Sequence, residues 1–141
     1  MAILNYTTSI DAEKTIGEIT KCLVAHGANK IVADYREGLP CAVTFCLAIE
    51  GNMVAFALPA NYEGVLNSMK KDRKVPGRLC TKEQALRVSW RIVKDWVEAQ
   101  MAIVEAKLAE MGEVFLPYAI HKDGSTLYNH IKGNGMLMLT N

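Results

Sequence analysis

Residues 88 to 100, VSWRIVKDWVEAQ, hold two tryptophans, two cations and two carboxylates. Guanidinium and ammonium groups beside indole rings could grip an anion attached to a planar group. The same composition also suits a helix with an apolar front and a charged back. Trp90 and Trp96 are six positions apart, which on a helix separates them by ~120° and leaves both on the apolar side, away from the cations. They are therefore expected in a core or an interface. Arg91 with Asp95, and Lys94 with Glu98, have the i,i+4 spacing that stabilises an exposed helix by about 0.2–0.5 kcal/mol per pair.

Other chemistry is sparse. His26, His121 and His130 show no partner at metal-ligand spacing, so no metal site is expected. Cys22, Cys41, Cys46 and Cys80 lack a C-x-x-C pair. On one strand Cys41 and Cys46 should point to opposite faces, so all four are read as free thiols of a reducing cytosol. Cys46 or Cys80 could be paired with His121 as nucleophile and base, but no spacing singles out such a pair. Nothing matches a P-loop, a dinucleotide fingerprint or a cofactor motif, and GNG at 133 to 135 reads as a turn. The expectation is a protein without cofactor or catalytic residues. Lys70, Lys71, Arg73, Lys74 and Arg78 crowd five cations around Asp72 in nine residues. This loop, shaped by Pro76 and Gly77, is either a solvated surface or a clamp for phosphates.

The 141 residues carry 16 basic and 15 acidic side chains, and half are apolar. A single domain over 1–141 with a proper core follows, and no global charge draws it to nucleic acid or a membrane surface. No uncharged apolar run approaches the ~18 residues of a membrane span, and no basic leader precedes an apolar stretch, so a cytoplasmic location is expected.

The pattern predicts an α+β fold. Ser9 or Asp11 caps a helix over roughly 11 to 26 that Gly27 stops. Alternation through Ile31, Ala33 and Tyr35, then Leu39 to Ile49 on every odd position, then Val54, Phe56 and Leu58, gives three strands joined by EGLP and EGN turns. They form an antiparallel meander. Asn61 caps a short helix. Thr81, with Gln84 in a capping box, opens a long helix that packs on the sheet and runs toward Gly112. Its polar arc holds Arg87, Arg91, Lys94, Asp95, Glu98 and Glu105. Its apolar arc spans ~200°, more than one sheet face covers, and calls for another helix of the chain or the same helix of a second subunit. The tail carries an apolar strap from Phe115 to Tyr118, a KDGS turn, a short helix capped by Ser125 and ended by Gly133, and an MLMLT edge strand.

The segments NYTTSIDAEKTIGEI, GLPCAVTF, FALPAN, QALRVSWRIVKDWVEAQMAIVE, EVFLPYAI and GSTLY together resemble a family of small proteins encoded by bacteriophages, prophages and other bacterial mobile elements. The resemblance implies a bacterial host cytoplasm and a role against host immunity or in phage DNA metabolism. In that setting the leading expectation is a non-enzymatic sponge, a homo-oligomer through the long helix, which sequesters a phosphorylated nucleotide signal. Arg87, Arg91, Lys94 and Lys122 would hold its phosphates, and Tyr118 and Tyr128 would stack on it. The alternatives are a nucleic-acid-binding accessory protein using the 70 to 78 loop, or an inhibitor that binds a host defence protein.

Overall fold

The computed structural model describes residues 2–133, with the expected MLMLT strand outside them. Helix α1 (Ala12–Ala25) leads into strands β1 (Asn29–Arg36), β2 (Leu39–Ile49) and β3 (Asn52–Pro59), which form an antiparallel sheet in the order β1-β2-β3. Helix α2 (Tyr62–Lys71), a 3-10 turn at Gly77–Leu79 and the long helix α3 (Lys82–Glu105) follow. The C-terminal part holds α4 (Met111–Val114), a 3-10 turn at Leu116–Tyr118 and α5 (Leu127–Gly133). This is the α+β architecture expected from the pattern.

Both hairpins close on a Glu-Gly pair with two left-handed residues, Glu37 and Gly38 at φ 53° and 79°, and Glu50 and Gly51 at φ 50° and 78°. Such turns match the right-handed twist of the strands they join. The alternation of β2 then places Val43, Phe45 and Leu47 on the inner face, opposite Phe56 and Leu58 of β3. Helices α1 and α3 cover that face, joining Ile16, Ile19, Leu23, Trp90, Val93, Val97 and Met101 to the sheet residues in one core. A second core forms on another side of α3, where Ala85 and Val88 meet Met69 and Val75. The ~200° apolar arc of α3 is thus divided between the sheet, α1 and α2 within one chain. Of the two covers expected for this arc, helices of the same chain supply one.

Trp90 is fully buried, and its Nε1 donates to the Pro40 carbonyl at 3.2 Å, tying α3 to β2. Trp96 packs at the rim, where the rings of Phe115 and Tyr118 meet it edge-on at 5.7 and 5.3 Å. The strap predicted from Phe115 to Tyr118 therefore closes the Trp96 side of the helix.

Three local expectations are corrected. Helix α3 ends at Glu105 rather than near Gly112, because Lys107 takes a left-handed φ of 60°. The Lys107 and Leu108 amides then bond back to the carbonyls of Val104 and Ile103, the C-terminal lock in which glycine is the usual residue. Asp11 occupies the N-cap of α1, but its side chain makes no capping bond. Ser125 does not cap α5; its amide and hydroxyl bond to Asp123, and Thr126 Oγ1 accepts from the Asn129 amide instead.

Candidate functional site

Asp95, Glu98 and Glu105 of the polar arc of α3 are exposed, but its three cations are not free in solvent. The arc lies against α1, and its charges meet carboxylates there. Arg91 Nη1 stands 2.6 Å from Glu18 Oε2 and 3.2 Å from Thr15 Oγ1. Lys94 Nζ lies 2.6 Å from Glu98 Oε1, the expected i,i+4 pair, and 4.0 Å from Glu18. Arg87 bonds to Gln84 Oε1 at 3.0 Å and faces Asp11 at 3.7 Å. The expected Arg91–Asp95 pair is replaced: Asp95 accepts from Asn5 Nδ2 at 2.7 Å. The side chains of Arg91 and Lys94 are only 14% and 16% exposed, so a ligand phosphate would have to displace Glu18 or Glu98 to reach them. Arg87 lines an open cavity of about 380 Å³, but Asp11, Glu37 and Glu83 line it too, and they oppose an anion.

At the far end of the helix His26 Nδ1 donates to the Cys22 carbonyl at 2.7 Å, which leaves Nε2 facing Glu105 Oε1 at 2.8 Å. Only a protonated ring satisfies both neighbours. The backbone bond to Cys22, followed by the bond to Glu105, raises the His26 pKa above the usual 6.5. Burial, with Glu98 and Glu105 nearby, pushes the Cys22 thiol up as well. All four cysteines are free. Among the described residues no hydrogen bond joins a thiol to His121; Cys80 Sγ donates to the Pro76 carbonyl.

The remaining three predicted residues belong to the C-terminal unit. The Ile120 amide bonds to the Ala55 carbonyl on the edge of β3, and the Leu127 amide returns to Ala119, so residues 119–127 fold back as a small hairpin-like clamp. This brings Tyr118 and Tyr128 into one cleft of about 470 Å³, whose other walls are Pro59, Pro117, Thr126 and Asn129. Apolar walls with two phenols, a hydroxyl and an amide suit a planar ligand that also needs hydrogen bonds. Lys122 sits on the exposed turn that joins the two tyrosine-bearing segments and, among the described residues, makes no ion pair.

The same turn holds a group that the spacing did not reveal. Asp123 lies between His121 and His130, with Nδ1 to carboxylate distances of 3.6 and 3.7 Å. Its bonds from the Ser125 hydroxyl and amide hold its pKa down to about 2. The two imidazoles stack at 3.8 Å. The histidines stand nine positions apart in sequence, and the reversal at Gly124, φ 88°, helps make them neighbours.

The basic loop is shaped as its composition suggested. Val75 is buried and anchors it, Asp72 Oδ1 accepts from the Lys74 amide, and Lys70, Lys71, Arg73, Lys74 and Arg78 are all exposed. Among the described residues none of these five cations makes an ion pair. No helix is long and apolar enough to cross a membrane, again among the described residues. Comparisons with protein-family models, curated proteins and solved structures give no match.

Proposed function

We propose that the protein is a non-catalytic binder of a nucleotide-like ligand, seated in the cleft between Tyr118 and Tyr128. The observation that supports this is the shared cleft itself: two aromatic rings ten residues apart in sequence line one cavity with Thr126 and Asn129 beside them. A base stacked on a tyrosine gains about 1–3 kcal/mol by the measure of alanine replacement. Lys122 supplies a cation that, among the described residues, no carboxylate occupies, and phosphate needs such a partner. Arg87, Arg91 and Lys94 take the role of fastening α3 to α1 in this reading. In the setting implied by the family resemblance, holding a nucleotide would withdraw a signal from host immunity. Calorimetry with cyclic and linear nucleotides tests it: Tyr128→Ala should weaken binding, while Arg91→Ala should act on stability rather than affinity.

The five exposed cations of the 70 to 78 loop, without ion pairs among the described residues, favour a second reading, contact with a nucleic-acid backbone. Neutralising the loop would then weaken binding to every sequence and flatten the salt dependence, with the tyrosine cleft unaffected.

A further inference from the structure

We propose that His121, Asp123 and His130 form a binding site for a divalent transition cation of the zinc type. Each residue offers one ligand atom, and the three atoms lie within 4.8 Å of one another. A zinc ion bound at 2.0–2.2 Å to nitrogen and oxygen sets its ligands about 3–3.5 Å apart. The spans from His121 Nδ1 to Asp123 Oδ1 and from His130 Nδ1 to Asp123 Oδ2, 3.6 and 3.7 Å, are close to that, and the remaining separation, within 4.8 Å, must close further. The two histidine–carboxylate contacts are too long for hydrogen bonds, and His121 Nδ1 is a buried ring nitrogen with no hydrogen-bond partner among the described residues.

The surroundings fit a ligand set better than a chance ion pair. Asp123 Oδ1 accepts from Ser125 Oγ at 2.6 Å and from the Ser125 amide at 2.9 Å, so the carboxylate is oriented before any ion arrives. Outer bonds of this kind fix ligand carboxylates in metal sites. The turn is rigid at both ends: the Gly124 amide bonds to the His121 carbonyl, and the His121 amide to the Ser125 carbonyl. The imidazole planes are 14° apart, so the rings must turn about their Cβ–Cγ bonds to aim both lone pairs at one ion. Two imidazoles and one carboxylate, with no thiolate, select Zn²⁺, Co²⁺ or Ni²⁺ over Mg²⁺ and Ca²⁺, which prefer all-oxygen shells. Three protein ligands leave a coordination position open to water. The inference stands apart from the nucleotide reading, because it uses neither tyrosine.

The test titrates the full, chelator-stripped chain with Zn²⁺ by calorimetry and with Co²⁺ by visible absorption, using Mg²⁺ as the control ion. One equivalent of Zn²⁺ should bind, and Mg²⁺ should not. Since losing an outer-shell partner typically weakens a metal site about 10–100-fold, His121→Gln or His130→Gln should cost at least that much. The cobalt spectrum should lack thiolate charge-transfer bands. Proton NMR of the wild-type chain gives a readout independent of the variants: Zn²⁺ should shift the His121 and His130 ring signals and leave His26 in place. Equal Zn²⁺ binding by wild type and both single variants, thiolate bands, no binding below millimolar Zn²⁺, or an unmoved His121 signal each overturns the proposal.

Discussion

Arg91 Nη1 and Glu18 Oε2, from helices α3 and α1, lie 2.6 Å apart with side chains 14% and 33% exposed. This contact turns a residue that reads as part of a charged surface into a fastener between two helices. Thr15, fully buried, shares the guanidinium, so the pair sits at the edge of the core rather than in bulk solvent. Removing Glu18 alone leaves a largely buried cation without its partner, whereas removing both residues relieves that penalty. Glu18→Gln and Arg91→Ala are each expected to lower unfolding free energy by about 1–2 kcal/mol, a value discounted for the partial exposure of Glu18. A double-mutant cycle in urea should return a coupling of about 1 kcal/mol.

Trp90 anchors α3 to the sheet by shape and by one hydrogen bond. Its side chain is completely buried and its Nε1 reaches the Pro40 carbonyl. Trp90→Phe keeps most of the apolar volume but removes that hydrogen bond, at an expected cost of about 0.5–1.5 kcal/mol. Trp90→Ala adds a cavity and should cost about 3–5 kcal/mol, read from the denaturation midpoint.

Gln84 docks the N-terminal segment. Its Nε2 donates to the carbonyls of both Tyr6 and Thr8, at 2.9 and 2.8 Å, and the residue is 6% exposed. Gln84→Ala removes both bonds from a segment without regular secondary structure. Amide exchange over residues 2–10 should accelerate while that of Phe45 and Phe56 stays slow. Uniform protection across the segment would contradict this docking role.

His26 makes stability depend on pH. Its native pKa is raised above 6.5 by the Cys22 carbonyl and Glu105, so the native state holds the proton more tightly than the unfolded chain. The sign follows: the contribution is fully present below 6.5 and fades as pH rises from there through the raised native value. The melting temperature should fall over that window. Glu105→Gln should flatten the fall, and an unchanged slope would show that Glu105 does not hold the proton.

Elements governed by local chemistry were legible in the sequence. The alternation of β2, the Glu-Gly turns, and the caps at Asn61 and Thr81 depend on residues within a few positions of one another, and each appears in the fold. The end of α3 was not legible, since a lysine at φ 60° does what a glycine ordinarily signals. The i,i+4 rule compared Arg91 only with its own helix, while its partner Glu18 is 73 residues away. Gln84 fits a capping box by spacing, yet its side chain serves Tyr6 and Thr8. For the candidate site the sequence supplied Tyr118, Tyr128 and Lys122 as residue types; the clamp that brings the tyrosines together depends on Ile120 pairing with β3. The histidine pair was hidden for the same reason, because a nine-position spacing carries no information until Gly124 helps reverse the chain.

Nucleotide affinity of single variants, measured side by side with their stability, is the most direct test of the central claim. Calorimetry with a panel of cyclic and linear nucleotides should find one that binds wild type at micromolar concentration. Tyr118→Ala and Tyr128→Ala should each weaken it by about 1–3 kcal/mol, and Lys122→Ala by about 1 kcal/mol or more. Charge-neutralised Arg91 should leave affinity unchanged once the folded fraction is corrected for. Failure of every nucleotide to bind would contradict the account, as would a bound nucleotide whose affinity depends on Arg91 and Lys94 but not on Tyr118 or Tyr128.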